Sequence, residues 1–306
     1  MLGGALLGNY AGGACRTLER GESMLFYTGH SGSFDGNGRQ DILVRHGSEL
    51  FVYPGSGALN GLKTYGEPVK IGTDIQPDHY LWVGAGDFTG DGRADIFALT
   101  VEEQGYIFLN RGGLAGLDTL AEPVHIGGKL PEVAYDTIAL ADMNADGKTD
   151  IIGRQGGTSK IDIIPFAGEV DGTNSFDPPV RLATLGATDI PLGAADVTGS
   201  GRPELLVLRD NGDLALYLTP DEGLDADGEP AGEGRWYTIG HGWDGLDIID
   251  VTDINGDGRP DLLGLRQDGT LVAHAHSGAF DPENPTAVFR EPVVVAKGWH
   301  DVTAIS

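Results

Sequence analysis

The chain has 306 residues, with 46 acidic against 20 basic side chains and a formal net charge of −26. That balance argues against a nucleic-acid backbone or an anionic membrane surface as a partner. Cys15 is the only cysteine, so no disulfide can close within the chain and no cysteine-built zinc site exists.

No apolar run approaches the roughly eighteen residues of a membrane-spanning helix. The opening stretch is rich in Gly, Ala and Leu but has no Lys or Arg before Arg16. A signal peptide needs a basic start, so none is visible, and the beginning reads as a mature or trimmed terminus.

From there one pattern recurs in chain order. The first unit has an acidic loop at Ser33–Asp41 and strands at Ile42–Arg45, Leu50–Tyr53 and Pro68–Ile71. The second has a strand at Tyr80–Gly86, a loop at Asp87–Asp95 and strands at Ile96–Leu99, Tyr106–Leu109 and Pro123–Ile126. The third repeats this with Thr137–Ala141, Asp142–Asp150, Ile151–Gly153, Ile161–Ile164 and Pro179–Leu182. In the fourth the loop is Asp196–Glu204, followed by strands at Leu205–Leu208, Leu214–Leu218 and Trp236–Ile239. The fifth runs Leu246–Thr252, Asp253–Asp261, Leu262–Leu265, Leu271–Ala275 and Pro292–Val295. These runs are short, rich in Val, Ile, Leu, Tyr and Phe, and bounded by turn residues, which marks them as strands. No window shows helical periodicity.

The acids that close the loops, Asp41, Asp95, Asp150, Glu204 and Asp261, stand 54, 55, 54 and 57 residues apart. Four short antiparallel strands per repeat, set around an axis, make a β-propeller, which manages sheet edges by radial repetition. The expected architecture is all-β and a single domain over 1–306. Residues 1–23 form a closing segment, 24–299 five repeats and 300–306 a closing strand. His300–Ser306 repeats the pre-loop strand, Leu6–Gly13 resembles a third strand and Cys15–Leu18 a fourth. These ends either zip onto the first or last blade or build a composite sixth, so five and six blades both stand.

The loops carry the chemistry. Three are complete, with oxygen-bearing side chains at positions 1, 3, 5 and 9 around a glycine at position 6. They are Asp87, Thr89, Asp91 and Asp95; Asp142, Asn144, Asp146 and Asp150; and Asp253, Asn255, Asp257 and Asp261. Two are thinner: Asp35, Asn37 and Asp41 in the first unit, and Asp196, Thr198 and Glu204 in the fourth. A hard cation such as Ca²⁺ takes six to eight oxygens at about 2.3–2.6 Å, and a tight glycine turn lets one segment supply most of them. Three full calcium sites are expected, and up to five in all. An EF-hand would need a bidentate Glu at position 12 between helices; that position holds Ala98, Gly153 and Gly264, with strand-like flanks. The ions' expected role is structural, because a fully caged ion leaves no open position for a substrate.

Gly86–Ile96, Asp253–Leu263, the Leu50–Gly55 stretch and Ile239–Trp243 together resemble the FG-GAP/VCBS repeat family, the calcium-loop propellers of integrin α-subunits and many bacterial extracellular proteins. The resemblance implies that each loop joins the first and second strands of a blade. It also implies that position 7 offers its main-chain carbonyl to the ion, which adds Arg93, Lys148 and Arg259 to the ligand set. Function is poorly specified by membership, which spans adhesion modules, sugar-binding lectins and appendages of secreted hydrolases and lyases.

Away from the loops, Arg45, Arg154, Arg209 and Arg266 end the second strand of four units, at the face opposite the acidic loops. They form either an anion-binding ring, since guanidinium suits carboxylate and phosphate, or local ion pairs with acids such as Asp210 and Asp268. Trp243 and Trp299 recur in the connections beyond the fourth strands. They either stack on sugar rings or wedge between blades as packing. His274 and His276 face one side of a strand and, with His241 or His300, would suit zinc if a third ligand joined them. Gly29–Ser33 misses a nucleophile elbow by its last residue.

The expected function is a calcium-stabilised extracellular binding module with a glycan or an extracellular protein as partner. The ligand set is Arg45, Arg154, Arg209, Arg266, Trp243 and Trp299. The alternatives are a polysaccharide lyase or hydrolase acting from the central funnel, and a non-catalytic protein scaffold.

Overall fold

The computed structural model describes residues 32–128, 135–156, 158–186, 188–219, 234–300 and 302–305. They form five four-stranded antiparallel sheets arranged as a five-bladed β-propeller. Blade 1 contains β1 (Ile42–His46), β2 (Glu49–Tyr53) and β3 (Val69–Gly72). Blade 2 contains β4 (Tyr80–Gly86), β5 (Asp95–Thr100), β6 (Gln104–Phe108) and β7 (Val124–Gly128). Blade 3 has β8 (Tyr135–Ala141), β9 (Asp150–Gln155), β10 (Lys160–Ile164) and β11 (Val180–Thr184). Blade 4 has β12 (Ile190–Ala195), β13 (Glu204–Leu208), β14 (Leu214–Leu218) and β15 (Arg235–Gly240). Blade 5 has β16 (Leu246–Thr252), β17 (Asp261–Arg266), β18 (Leu271–His274) and β19 (Val293–Ala296).

The last strand, β20 (Val302–Ile305), pairs antiparallel with β1 and supplies the inner strand that completes blade 1. The inner strands β4, β8, β12, β16 and β20 each contact the next, and β20 meets β4, so the ring is closed. The C-terminal strand therefore zips onto the first blade, and the described residues build five blades and no sixth. The strand-like stretches at Leu6–Gly13 and Cys15–Leu18 lie outside the described residues.

Burial follows strand position. β5 is buried along its whole length and β1 along most of it, because these second strands pack a neighbouring blade on each face. The third strands β2 and β6 alternate between buried and half-buried residues, as a sheet does with one face covered. The core is five apolar clusters, one at each junction between adjacent blades. Short 3-10 turns in the third-to-fourth-strand connections reach the outer strand of the preceding blade. Gly61–Lys63 touches β19, Gly116–Asp118 touches β3, Gly172–Asn174 touches β7 and Pro285–Ala287 touches β15. No helix among the described residues is long and apolar enough to cross a membrane.

Strand β12 had no sequence expectation. Pro191 and Gly193 interrupt the apolar pattern by which strands are recognised, whereas the register shift between them recurs in β4, β8 and β16.

In all five loops position 6 is glycine with φ between +78° and +83°, a region that penalises side chains. Position 4 is also left-handed throughout, and is glycine except in the third loop, where Ala145 holds φ +58°.

Two outcomes follow from this backbone. Ala145→Gly is expected to stabilise the protein by about 1 kcal/mol in urea melts, by relieving the left-handed Cβ clash. Deleting residues 302–306 removes the inner strand of blade 1 and both of its ring contacts. Loss of the cooperative thermal transition, read by near-ultraviolet circular dichroism, is the expected result.

Candidate metal loops and the opposite face

The loops are wired by their carboxylates. Position 1 accepts the N–H of the position-6 glycine at 2.8 Å in four of them: Asp87 from Gly92, Asp142 from Gly147, Asp196 from Gly201 and Asp253 from Gly258. Position 5 then accepts the N–H of position 7, as Asp91 does from Arg93 (2.9 Å) and Asp257 from Arg259 (3.0 Å). These side chains are tethered within the turn, but each carboxylate keeps further acceptor capacity.

The closing acid does more than end the loop. Asp95 is fully buried and accepts the N–H of Phe88 (3.1 Å) with one oxygen and that of Asn110, past the third strand, with the other (2.8 Å). Asp41 does the same with Phe34 and Gly55, Asp150 with Met143 and Phe166, and Asp261 with Ile254 and His276. Burial is the main cause that raises these carboxyls from the ordinary aspartate value. Asp95 reaches about 7, and Asp41, Asp150 and Asp261 about 6. In the three full loops the position-1 and position-5 carboxylates push in the same direction, whereas in the first loop only Asp35 does.

The donor chemistry of loops two, three and five therefore suits a hard cation. It is all oxygen, and its charge is concentrated around a desolvated carboxylate. Three acidic or imidazole side chains do not converge by themselves anywhere among the described residues. A cage here needs the amide, hydroxyl and main-chain oxygens as well, namely Thr89, Asn144 and Asn255 and the carbonyls of Arg93, Lys148 and Arg259.

The fourth loop is already satisfied by protein donors. Thr198 and Ser200 hydroxyls donate to Glu204 at 2.6 and 3.1 Å, and the N–H groups of Val197 and Thr198 take its other oxygen. In the first loop, Asp35 and Asn37 are exposed and the Ser33 hydroxyl stands where the other loops have a carboxylate.

Adjacent loops are joined. The N–H of Ala94 donates to the Ser33 carbonyl (3.0 Å) and that of Thr149 to the Asp87 carbonyl (2.9 Å), each bond running from position 8 of one loop to position 1 of the preceding loop. Asn110 donates its side-chain amide to the Phe34 carbonyl (2.8 Å). His276, buried, accepts the Gly278 N–H at Nδ1, so its Nε2–H donates to the Val197 carbonyl (3.0 Å). The sequence reading missed Asn110 and His276 as junction residues. The signal was their shared offset of fifteen residues from the closing acid of their own loop.

On the opposite face the arginines do not form one solvent-facing ring. Arg45 and Arg154 are buried, and each donates to the backbone of the next blade: Arg45 to the Tyr80 carbonyl (2.7 Å) and Arg154 to the Asp189 carbonyl (2.6 Å). Arg209 lies over the Trp236 ring at 4.7 Å, and Trp236 in turn lies 4.7 Å from Tyr217. Arg266 is exposed. Asp268, which lies near it, is held below the usual carboxylate range chiefly by Thr270, with Arg266 contributing less.

Trp243 and Trp299 are each 8% exposed and belong to the core clusters between blades 4 and 5 and between blades 5 and 1. The four histidines do not assemble. His274 packs on Trp243, His276 points at Val197, His241 pairs with Asp213 at 2.7 Å and His300 sits beside Gly269. Residues 29–31 of the serine stretch lie outside the described residues.

The family model for FG-GAP-like repeats matches residues 34–98 and 87–153. Among solved structures, one titled for the specific recognition of non-reducing terminal N-acetylglucosamine by an Agrocybe aegerita lectin is 18% identical. It has a TM-score of 0.45, over 90% of this chain and 68% of that chain. Two crystal structures of BBS1N in complex with ARL6DN, soaked with lead or mercury, are each 11% identical. Their TM-scores are 0.38 and 0.35, covering 87% and 83% of this chain and 67% and 63% of those chains. No curated protein matches this chain. Residues 34–153 thus match the FG-GAP-like repeat, a stretch running from the first loop to the second strand of blade 3.

Proposed function

We propose that this propeller is a calcium-stabilised extracellular binding module whose ligand is a glycan. The observation that carries the metal reading is the set of buried closing carboxylates in loops two, three and five. Each is raised by burial and by two neighbouring carboxylates. A divalent cation held by Asp87, Thr89, Asp91, Asp95 and the Arg93 carbonyl would neutralise that charge, as would one in each of the other two full loops. The ion would supply structure only, fixing the turn between inner and second strands. Millimolar calcium outside the cell would fill even modest sites.

The glycan reading rests on the exposed side of blade 4. The Arg209 guanidinium covers the half-buried Trp236, beside the exposed Asp210 and Asn211. A flat ring beside hydrogen-bonding side chains suits a sugar, which offers C–H faces and hydroxyls together. Arg266 is likewise exposed, at the end of the second strand of blade 5. Arg45, Arg154, Trp243 and Trp299 serve the blade junctions instead.

Calcium at about 100 times its dissociation constant would stabilise each occupied loop by about 2.7 kcal/mol. EDTA is therefore expected to lower the melting temperature by at least about 5 °C, with recovery on adding Ca²⁺; an unchanged melt rejects the metal reading. Asp257→Ala should cost more stability than Asp35→Ala when both are melted in calcium, because only the former opens a full loop.

The ion-free protein should also respond to pH with a definite sign. The folded carboxyls keep their protons to about pH 6–7, whereas unfolded aspartate releases its proton near 3.8. The stability these four carboxyls contribute in EDTA is fully present below about pH 4 and is lost as pH rises through 6–7. Calcium, which needs the ionised form, should offset that fall, as melts across the range would show.

For the ligand, a glycan array in calcium is expected to give hits that disappear in the Trp236→Ala, Arg209→Ala double variant. Silence of the folded wild type across the array removes the glycan reading and leaves the metal reading to its own test.

A further inference from the structure

The blade junctions share one architecture, so strand register identifies the counterpart of any residue at another junction. Beyond the outer strands of blades 1, 3, 4 and 5 one side chain turns back to plug the gap towards the next blade. Its N–H bonds the carbonyl of the turn between the second and third strands: Ile75 to Ser48 (3.0 Å), Leu185 to Ser159 (2.8 Å), Trp243 to Gly212 (2.9 Å) and Trp299 to Gly269 (3.0 Å).

At two junctions the plug is an indole, and its geometry repeats. Trp243 lies 4.7 Å from the His274 ring at 45°, and Trp299 lies 4.9 Å from the Tyr53 ring at 44°. His274 pairs with Leu262 and Tyr53 with Ile42, so both rings sit at the same register on a third strand. Trp243 also needs a flat wall, since a Cβ at Gly240 would stand 2.2 Å from its Nε1.

The junction between blades 1 and 2 keeps every part of this receptacle except the indole. Phe108, opposite Ile96, holds the ring position. Gly72, opposite Leu50, is the counterpart of Gly240, opposite Leu214. The plug, however, is the smaller Ile75. A cavity of about 260 Å³ results, lined by Ile75, Gly72, Phe108, Leu50, Ile71 and Ile96.

We propose that this cavity binds a small, planar, apolar aromatic molecule of indole size. The fold itself shows the fit, because two equivalent junctions hold an indole against an aromatic ring. The largely aliphatic and aromatic lining disfavours sugars and ions, whose polar groups would lose water without gaining partners. Glu122 and Thr73 also line the cavity and offer acceptors for a ring N–H. The site is independent of the acidic loops and of the blade 4 surface.

Indole itself is the probe. Saturation-transfer NMR on the calcium-loaded protein should show indole receiving magnetisation, and the melting temperature should rise with indole concentration. Ile75→Trp places the chain's own indole in the cavity. It should melt higher than wild type without ligand and lose the transfer signal. Phe108→Leu, which removes the stacking ring at a half-buried position, should weaken indole binding at least fivefold. Absence of transfer to wild type overturns the proposal. So does undiminished transfer to a folded Ile75→Trp, and if that variant does not fold, unchanged affinity in Phe108→Leu does so.

Discussion

A buried carboxylate that closes each acidic turn is the interaction on which the molecule is organised. An aspartate taken out of water is unfavourable unless its oxygens find donors. Asp41, Asp95, Asp150 and Asp261 find them in two backbone N–H groups, one at the start of their own loop and one beyond the third strand. A single side chain thereby joins the turn, the second strand and the third-strand exit of its blade. Under the metal reading proposed above, the charge left uncompensated at that point is what a cation would neutralise. The architecture and the proposed metal chemistry thus rest on the same buried acid.

Each blade is incomplete without its neighbours. The apolar clusters lie between sheets, and polar side chains cross the same junctions to reach backbone carbonyls. Arg45 and Arg154 do so near one rim; Asn110 and His276 do so near the loops. Repeat proteins gain stability from such nearest-neighbour interfaces. A linear array would leave two faces uncovered. Here β20 returns to blade 1 and the Gly61–Lys63 turn meets β19, so both ends of the array are covered. The variation among plugs, from isoleucine to tryptophan, leaves the junctions alike in backbone and different in free space.

Much of this was legible in the residues. The steps between closing acids, the glycine at position 6 and the short β-branched runs locate the strands of every blade within a residue or two, apart from β12. Pro191 and Gly193 interrupt its apolar pattern. The candidate ligand face was less legible. An arginine at a strand end reads the same whether it meets solvent or the carbonyl of the next blade, and Arg45 lies 35 residues from the Tyr80 carbonyl it binds. A tryptophan that recurs in a Gly-Trp pair is likewise silent about whether its ring is covered.

The sequence by itself determined the repeat, the strand order within a blade and the oxygen chemistry of the loops, because these depend on local spacing and on turn geometry within a few residues. Tertiary structure alone decided that the ring closes at five blades through the final strand. It also decided which arginines and indoles are buried between sheets, and that an aromatic-sized space remains beside Ile75. Those outcomes depend on contacts between blades, where packing and desolvation act across distances that no local pattern encodes.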